Sequence, residues 1–471
     1  MRSTKLLVTL LLLLSLSDIG FGRSSKNLSY AERVDLLIVG GTVVTMDAGR
    51  RVIEDGAVAV SGGKVVAVGT RAEMAKGYRA KQTVNAAGKA VIPGLINAHT
   101  HIPMVLFRGI SDDLDLNDWL TRFIFPAEAK NVDEAFVRVG TRLGLAEMIR
   151  GGTTTYADMY YFEDAIADET KKAGVRGLLG QTLIDFPVPD AKTPAEGMAL
   201  AEKFVKKWQN DPLITPAIAP HAPYTISTEN LKAMKALADK VNAPLIIHVA
   251  ETRKEVSDIT EQKGHSPMAY LDSIGFLGGR VLAAHTVFLT DAEIDLMKAK
   301  NVGSAHCPHS NMKLASGFAP VPQMLAKDIA LGLGTDGAAS NNDLNMWEEI
   351  DAAAKLHKVF TGDPKVVTAE QAFEMATIRG ARAVHMADKI GSIETGKLAD
   401  IAIVDLNGLH QTPMYNIYSH LVYTTKASDV ETVIINGRVV MQNRRLLTLN
   451  ESAIKKDAAA YRNKIIKSLN E

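Results

Sequence analysis

His99 and His101 stand one residue apart at the end of the apolar run VIPGLINAHTH, residues 91–101. On an extended strand, residues i and i+2 face the same side, so both imidazoles reach one point just past the strand's end. Two imidazoles converging there can grip a divalent metal. An isolated pair of this kind is equally well read as two polar strand-end residues. Three later fragments shift that balance: HVAE with His248 and Glu251, AAHT with His285, and GTDG with Asp336. Each closes an apolar run with a side chain that binds metals or moves protons.

These side chains need a scaffold that brings strand ends together. Short apolar runs suited to strands cover Val91–His101, Thr153–Met159, Val175–Thr182, Leu213–His221, Pro244–Glu251, Arg280–His285, Asn301–Cys307 and Ile329–Asp336. Spacers such as Leu231–Val241 and Ala292–Lys300 read as amphipathic helices. Repeated β-then-α units of this kind predict an α/β fold, a (β/α)8 TIM-type barrel whose active site lies at the C-terminal face of the strands. A different texture flanks it. Runs around Asp35–Thr45 and Gly56–Gly69, with Ser-Gly-Gly as a hairpin turn, return near the other end as Ala399–Leu406 and Val433–Val440 with an Asn-Gly turn. Neither hairpin alone buries enough apolar surface, so one small β-sandwich domain built from both chain ends is expected.

Composition narrows the function classes. The 471 residues hold 53 basic and 53 acidic side chains, so overall charge offers no case for nucleic acid. Cys307 is the only cysteine, which excludes an intrachain disulfide. Arg2 and Lys5 precede the apolar stretch Leu6–Leu16, which is too short to span a bilayer, and Gly20-Phe21-Gly22 offers a cleavage site. The reading is a signal peptide over residues 1–22, an exported (periplasmic or secreted) mature chain beginning near Arg23, and no stable membrane anchor after cleavage. The expected division is then 23–92 and 392–471 for the β domain, the latter with a terminal helix, and 93–391 for the barrel. A homo-oligomer is expected.

The motifs PGLINAHTH (93–101), PAEAK (126–130), GGTTTYADM (151–159), APHAPYT (219–225), HVAET (248–252), AAHTV (283–287), SNMKL after His306 and GTDGAASNN (334–342) carry a resemblance. The chain resembles the amidohydrolase superfamily, and within it the aminohydrolase branch that contains 5′-methylthioadenosine/S-adenosylhomocysteine deaminases and triazine hydrolases. The resemblance implies that His99, His101, His248 and Asp336 are metal ligands. This set suits Zn²⁺, with Fe²⁺ or another divalent ion as alternatives. It implies Glu251 as general acid/base, His285 as the residue orienting the attacking water, and Asp336 as a second proton acceptor. It also implies substrate contacts from Glu128 and His221, with Trp119 stacking on or covering the base. Strand alternation puts Glu251 on the opposite face from His248 unless the strand end is irregular.

The implied reaction is hydrolytic deamination of the adenine ring of 5′-methylthioadenosine, S-adenosylhomocysteine or adenosine, a small-molecule substrate. Rival readings are deamination or dechlorination of another aminated heterocycle (a triazine, guanine or a pterin) and a cyclic amidase. The cyclic amidase would need a lysine bridging two metals. None ends a candidate strand between His101 and His248, which favours one metal. In one place the chain departs from the family pattern. Where some members carry an arginine for the substrate's amino-acid carboxylate, this chain has Gln181, which cannot neutralise a carboxylate. The expectation is that S-adenosylhomocysteine is disfavoured, with Gln181, or else Lys192, near the substituent's tip. His306-Cys307-Pro308-His309 is read as a barrel-mouth turn, not a second metal site.

Overall fold

The computed structural model describes residues 31–470. The leader expected over residues 1–22 lies outside the described residues. Among the described residues, no helix is long and apolar enough to cross a membrane.

Five strands come first: β1 (Glu32–Val44), β2 (Val52–Ser61), β3 (Lys64–Thr70), β4 (Tyr78–Asn85) and β5 (Lys89–Pro93). The Gly62-Gly63 turn between β2 and β3 has φ of 57° and 78°, a region glycine enters without strain. Eight further strands alternate with helices: β6 (Leu95–Thr100), β7 (Thr153–Tyr160), β8 (Arg176–Leu183), β9 (Ile214–Pro220), β10 (Leu245–Val249), β11 (Val281–His285), β12 (Gly303–His306) and β13 (Leu331–Leu333). They form one parallel sheet in sequence order. The chain ends with β14 (Ile401–Asp405), β15 (Val430–Ile435), β16 (Arg438–Gln442) and β17 (Arg445–Leu446). These last strands join the first five in a nine-stranded mixed sheet, with β14 paired to β5 and β5 to β1. Leu36, Ile38, Val58, Val91, Ile401 and Ile434 pack into one buried cluster of that domain, so its core draws on both chain ends.

The run Val91–His101, expected as a single strand, divides at Gly94. β5 belongs to the mixed sheet and β6 opens the barrel. A Cβ on Gly94 would lie 2.1 Å from the Thr154 side chain, so only glycine lets the chain pass from one sheet to the other there. Arg176 on β8 and Asp400 fasten the two sheets together. Arg176 Nε donates to Asp400 Oδ2 at 2.7 Å, and both side chains are buried. The terminal helix Glu451–Asn470, grouped by its sequence position with the β domain, lies instead along the barrel helix Glu134–Arg150. Tyr461 meets Phe136 with ring centroids 5.4 Å apart, and Arg150 pairs with Glu451 at 2.7 Å.

β13 is only three residues long and does not complete a ladder with β6. Side chain and loop atoms close the barrel instead. Asn97 Oδ1 accepts the Thr335 N–H at 3.0 Å, Asn97 Nδ2 donates to Thr335 Oγ1 at 2.8 Å, and the Asp336 N–H donates to the His99 carbonyl at 2.9 Å. The seam therefore sets the end of the first barrel strand directly against the segment that follows the last.

Candidate active site

His99, on that seam, is fully buried, and neither of its ring nitrogens makes a hydrogen bond. Its Nε2 faces Asp336 Oδ1 at 3.3 Å, and His101 Nε2 lies at the same distance from the same oxygen. His248 Nε2 is 3.3 Å from His101 Nε2. The outer nitrogens fix the tautomers. His101 Nδ1 donates to the Met159 carbonyl at 2.6 Å and His248 Nδ1 to the His221 carbonyl at 2.7 Å. With the protons held there, two nitrogen lone pairs point at each other and at a carboxylate oxygen, an arrangement that a shared cation satisfies. Ligand atoms of His99, His101 and His248 lie within 4.8 Å of one another, as do those of His99, His285 and Asp336. The buried and unbonded His99 nitrogens and this donor set fit a divalent metal held by His99, His101, His248 and Asp336.

Asp336 is oriented as tightly as the imidazoles. Ser310 and Ser340 donate hydroxyls to its Oδ2 at 2.7 and 2.9 Å, and the Gly337 N–H donates to Oδ1 at 2.8 Å. Burial raises the Asp336 pKa, but the His101 and His99 imidazoles facing it at 3.3 Å outweigh that and hold the carboxyl well below its ordinary value. Asp336 (φ 62°) and His285 (φ 69°) both sit in the left-handed region, which costs a non-glycine residue about 1–3 kcal/mol and recurs at active sites.

Glu251 shows how the strand-face conflict resolves. β10 ends at Val249, and Ala250 turns the chain at φ 54°. That reversal returns Glu251 to the side of His248, where both line one cavity and Glu251 Oε2 lies 3.6 Å from His285 Nε2. Glu255 holds the turn, accepting the Ala250 N–H on Oε1 and the Glu251 N–H on Oε2, each at 2.8 Å. Burial pushes the Glu251 carboxyl up; His285 opposes this and Asp336 adds to it. His285 is oriented by Asn311, whose Oδ1 is 3.0 Å from its Nδ1.

The cavity, about 60 Å³, is narrow. Glu128 also lines it, accepting the Tyr160 hydroxyl on Oε1 at 2.7 Å, with Tyr161 Oη 3.5 Å from Oε2. Burial raises Glu128 to about 7, against the lowering effect of the Tyr160 hydrogen bond. Trp119 lies in a π-helical segment, Trp119–Ile124, whose wider turn swings it into the wall. Its indole N–H is buried without a partner. His221 also lines the cavity, with Nδ1 3.0 Å from Thr225 Oγ1, and burial lowers it to about 3.

The structure thus brings together His99, His101, Trp119, Glu128, His221, His248, Glu251, His285 and Asp336. It does not bring Gln181. That side chain is buried but absent from the cavity wall, and its amide donates to Asp190 at 2.8 Å and to the Thr182 carbonyl at 3.3 Å. Thr182, its neighbour with the opposite strand orientation, faces the cavity instead. Lys192 is exposed and lines no part of it. His306 packs on His357 and His309 on Glu349, away from the metal-binding set, and burial raises the Cys307 thiol far above its usual range.

Sequence reasoning missed several supports. Glu255 was legible as the third residue after the cap Thr252, the spacing of a capping box. Asp158, at a strand end like the others, accepts Thr100 Oγ1 and the Ile102 N–H and so braces both sides of His101; burial raises it to about 6. Asn97, Ser310 and Asn311 carried no spacing signal, because each acts across the fold, whereas Ser340 acts on Asp336 four residues before it.

Comparison with known proteins agrees with this geometry. Residues 90–440 match the amidohydrolase family, and residues 56–79 match the bacterial imidazolonepropionase-like composite domain. The chain is 46% identical over 440 residues to 5-methylthioadenosine/S-adenosylhomocysteine deaminase 1 of Syntrophus aciditrophicus, covering 93% of this chain and 99% of that protein. It is 46% identical to the deaminase of the same name from Syntrophobacter fumaroxidans, covering 89% and 96%. Among solved structures, an adenosine deaminase from Xanthomonas campestris with bound zinc superposes with a TM-score of 0.91 at 42% identity, covering 93% of this chain and all (100%) of that one. An atrazine chlorohydrolase from Arthrobacter aurescens, complexed with zinc, gives 0.82 at 25% identity, covering 90% and 99%. With strand-end histidines and an aspartate converging at the barrel mouth, and a composite β domain beside it, the chain belongs to the amidohydrolase family.

Proposed function

We propose that this enzyme hydrolytically deaminates the adenine ring of 5′-substituted adenosines, 5′-methylthioadenosine and S-adenosylhomocysteine among them, or of adenosine itself, using one zinc ion. The relatives named above support the substrate class, and the zinc bound in two structural neighbours supports the metal. One observation carries the reading. A single narrow cavity is lined by His101, His248 and Asp336 of the metal-binding set, by Glu251, and by the buried Glu128–Tyr160 pair. A ring nitrogen and a diol can thus be addressed together.

His99, His101, His248 and Asp336 would hold the zinc ion, which would supply Lewis acidity that brings the pKa of a water toward ~7. The chain's own groups do the rest. Asp336 takes a proton from the attacking water, and His285 orients its oxygen toward C6 of the adenine. Glu251, kept protonatable by burial, gives its proton to N1 as the C6–O bond forms. Asp336 passes the water's proton on to the amino group, the C6–N bond breaks and ammonia leaves, and the C6 hydroxyl returns its proton to Glu251 as the ring carbonyl forms. Glu128 accepts the ribose hydroxyls, His221 contacts the nucleoside, and Trp119 covers the base with its unpaired N–H available to it.

Ammonia release from adenosine, 5′-methylthioadenosine, S-adenosylhomocysteine, guanine, a pterin and a triazine, measured on zinc-loaded protein, tests this. Turnover confined to the adenosines is expected. Preferential turnover of guanine, pterin or triazine overturns it.

A further inference from the structure

The reaction cavity adjoins a second chamber of about 1050 Å³, and Leu116, Leu120, Phe125 and Tyr224 line both. A substituent on C5′ that extends beyond the ribose has this chamber to enter. Its walls combine aromatic surface with charge. Phe186, Phe318 and Phe360 are exposed large apolar side chains, and Phe318 stacks on Phe360 at 4.6 Å.

The charged wall residues are mostly spoken for. Lys254 pairs with Asp258 at 2.8 Å, Glu255 holds the Ala250 and Glu251 amides, and Asp115 accepts the Asn117 and Asp118 N–H groups. Arg253 is different. It makes no hydrogen bond or ion pair with any described residue, and its guanidinium lies 4.7 Å from the Phe288 ring centroid. An aromatic face steadies a guanidinium without using its N–H donors, which stay free for an anion. Gln181 and Lys192, the residues expected from sequence to meet the substituent's tip, line neither chamber.

We propose that the outer chamber receives the 5′-substituent and that Arg253 is its carboxylate-recognising residue, so that an amino-acid-tailed thioether is a substrate of this enzyme and not an excluded relative of one. The proposal rests on the deamination reading and deepens it. It reverses the expectation drawn from Gln181. The thioether and methylenes lie along the phenylalanines, and the planar guanidinium takes the carboxylate in two parallel N–H···O bonds.

The test measures kcat/KM on zinc-loaded enzyme for S-adenosylhomocysteine, 5′-methylthioadenosine and the 3-aminopropylthio analogue, which keeps the ammonium and lacks the carboxylate. Wild type, Arg253→Met and Arg253→Lys are compared. Arg253→Met should lower kcat/KM for S-adenosylhomocysteine about three- to tenfold, mainly through KM, a range set by the solvent exposure of the pair. Arg253→Lys should recover part of that loss. The two carboxylate-free nucleosides should change by less than about twofold, since neither offers the guanidinium an anion. Raising the salt should weaken S-adenosylhomocysteine binding in wild type more than in Arg253→Met, because an exposed ion pair is screened. An equal loss on all three substrates, or no loss on S-adenosylhomocysteine, overturns the role of Arg253 while leaving deamination intact. Failure of wild type to release ammonia from any of the three overturns the proposed function and this inference together.

Discussion

Replacing Glu255 with glutamine tests whether the turn after β10 is what makes Glu251 useful. The Glu255 carboxylate accepts two buried amides on two different oxygens, each at 2.8 Å. Glutamine keeps one acceptor and turns an NH2 group toward the other amide, so one hydrogen bond to a charged acceptor is lost and two donors face each other. Bonds of that kind are worth about 1.5–3 kcal/mol, and an orphaned buried donor costs a similar amount. Burial raises Glu255 to about 7, so a fraction is already protonated at neutral pH and the lower part of the range applies. The expected loss of stability is about 2 kcal/mol. Ala250, held at φ 54°, is then free to relax toward an ordinary strand conformation, which turns Glu251 away from His285. A misplacement of about 1 Å at a reacting group can cost 10²-fold, so kcat should fall by roughly 10- to 100-fold. Guanidinium unfolding of zinc-loaded protein, steady-state ammonia release and metal content by mass spectrometry provide the readouts. Zinc should stay bound, because Glu255 touches no ligand. Wild-type kcat and stability in Glu255→Gln would refute the reasoning, and loss of zinc would show that the turn supports the metal instead.

The remaining predictions are shorter. Glu251→Gln preserves shape but cannot carry a proton, so kcat should fall at least ~10²-fold with zinc retained, and near-normal turnover would remove Glu251 from the chemistry. Purified enzyme should carry about one zinc per chain, and His248→Ala should lose most of it together with activity; two tightly bound ions in the native enzyme would contradict the single-metal reading. Arg176→Met leaves the buried Asp400 carboxylate without its cation and should cost about 3–5 kcal/mol of stability, whereas a loss below ~1 kcal/mol would mean that the two sheets hold together without it. His309 is pulled down by burial but raised to about 9, from an ordinary 6.5, by its hydrogen bond and charge contact with Glu349. The charged imidazole binds its proton more tightly in the folded state, so its contribution to stability is complete below pH 6.5 and lost as pH rises through 9. His309→Gln should flatten that part of the stability–pH curve, and an unchanged slope would assign the alkaline loss to another group.

Much of this protein was legible in one dimension. Strand alternation with apolar runs closed by His, Glu or Asp marked His99, His101, His248, His285 and Asp336, because a parallel barrel gathers strand ends at one face whatever the details of packing. The hairpin textures at the two chain ends foretold the composite sheet for a similar local reason: neither half can bury its own apolar face. What the sequence left open are consequences of three-dimensional neighbours. Strand periodicity put Glu251 on the wrong face, and only the left-handed Ala250, fastened by Glu255, returns it to the cavity. Asn97 looks like any polar residue in a strand until Thr335, 238 positions away, meets it across the barrel seam. Gln181 occupies the position where an arginine was expected, yet Asp190 and the Thr182 carbonyl engage it behind the wall, while Arg253 enters the outer chamber from a helix that no substrate motif marked. Periodicity and residue type act over a few positions of chain and survive in the sequence. A side chain's partner is set by how whole elements pack, so the strand-end histidines and aspartate could be read in advance and most of the groups that orient them could not.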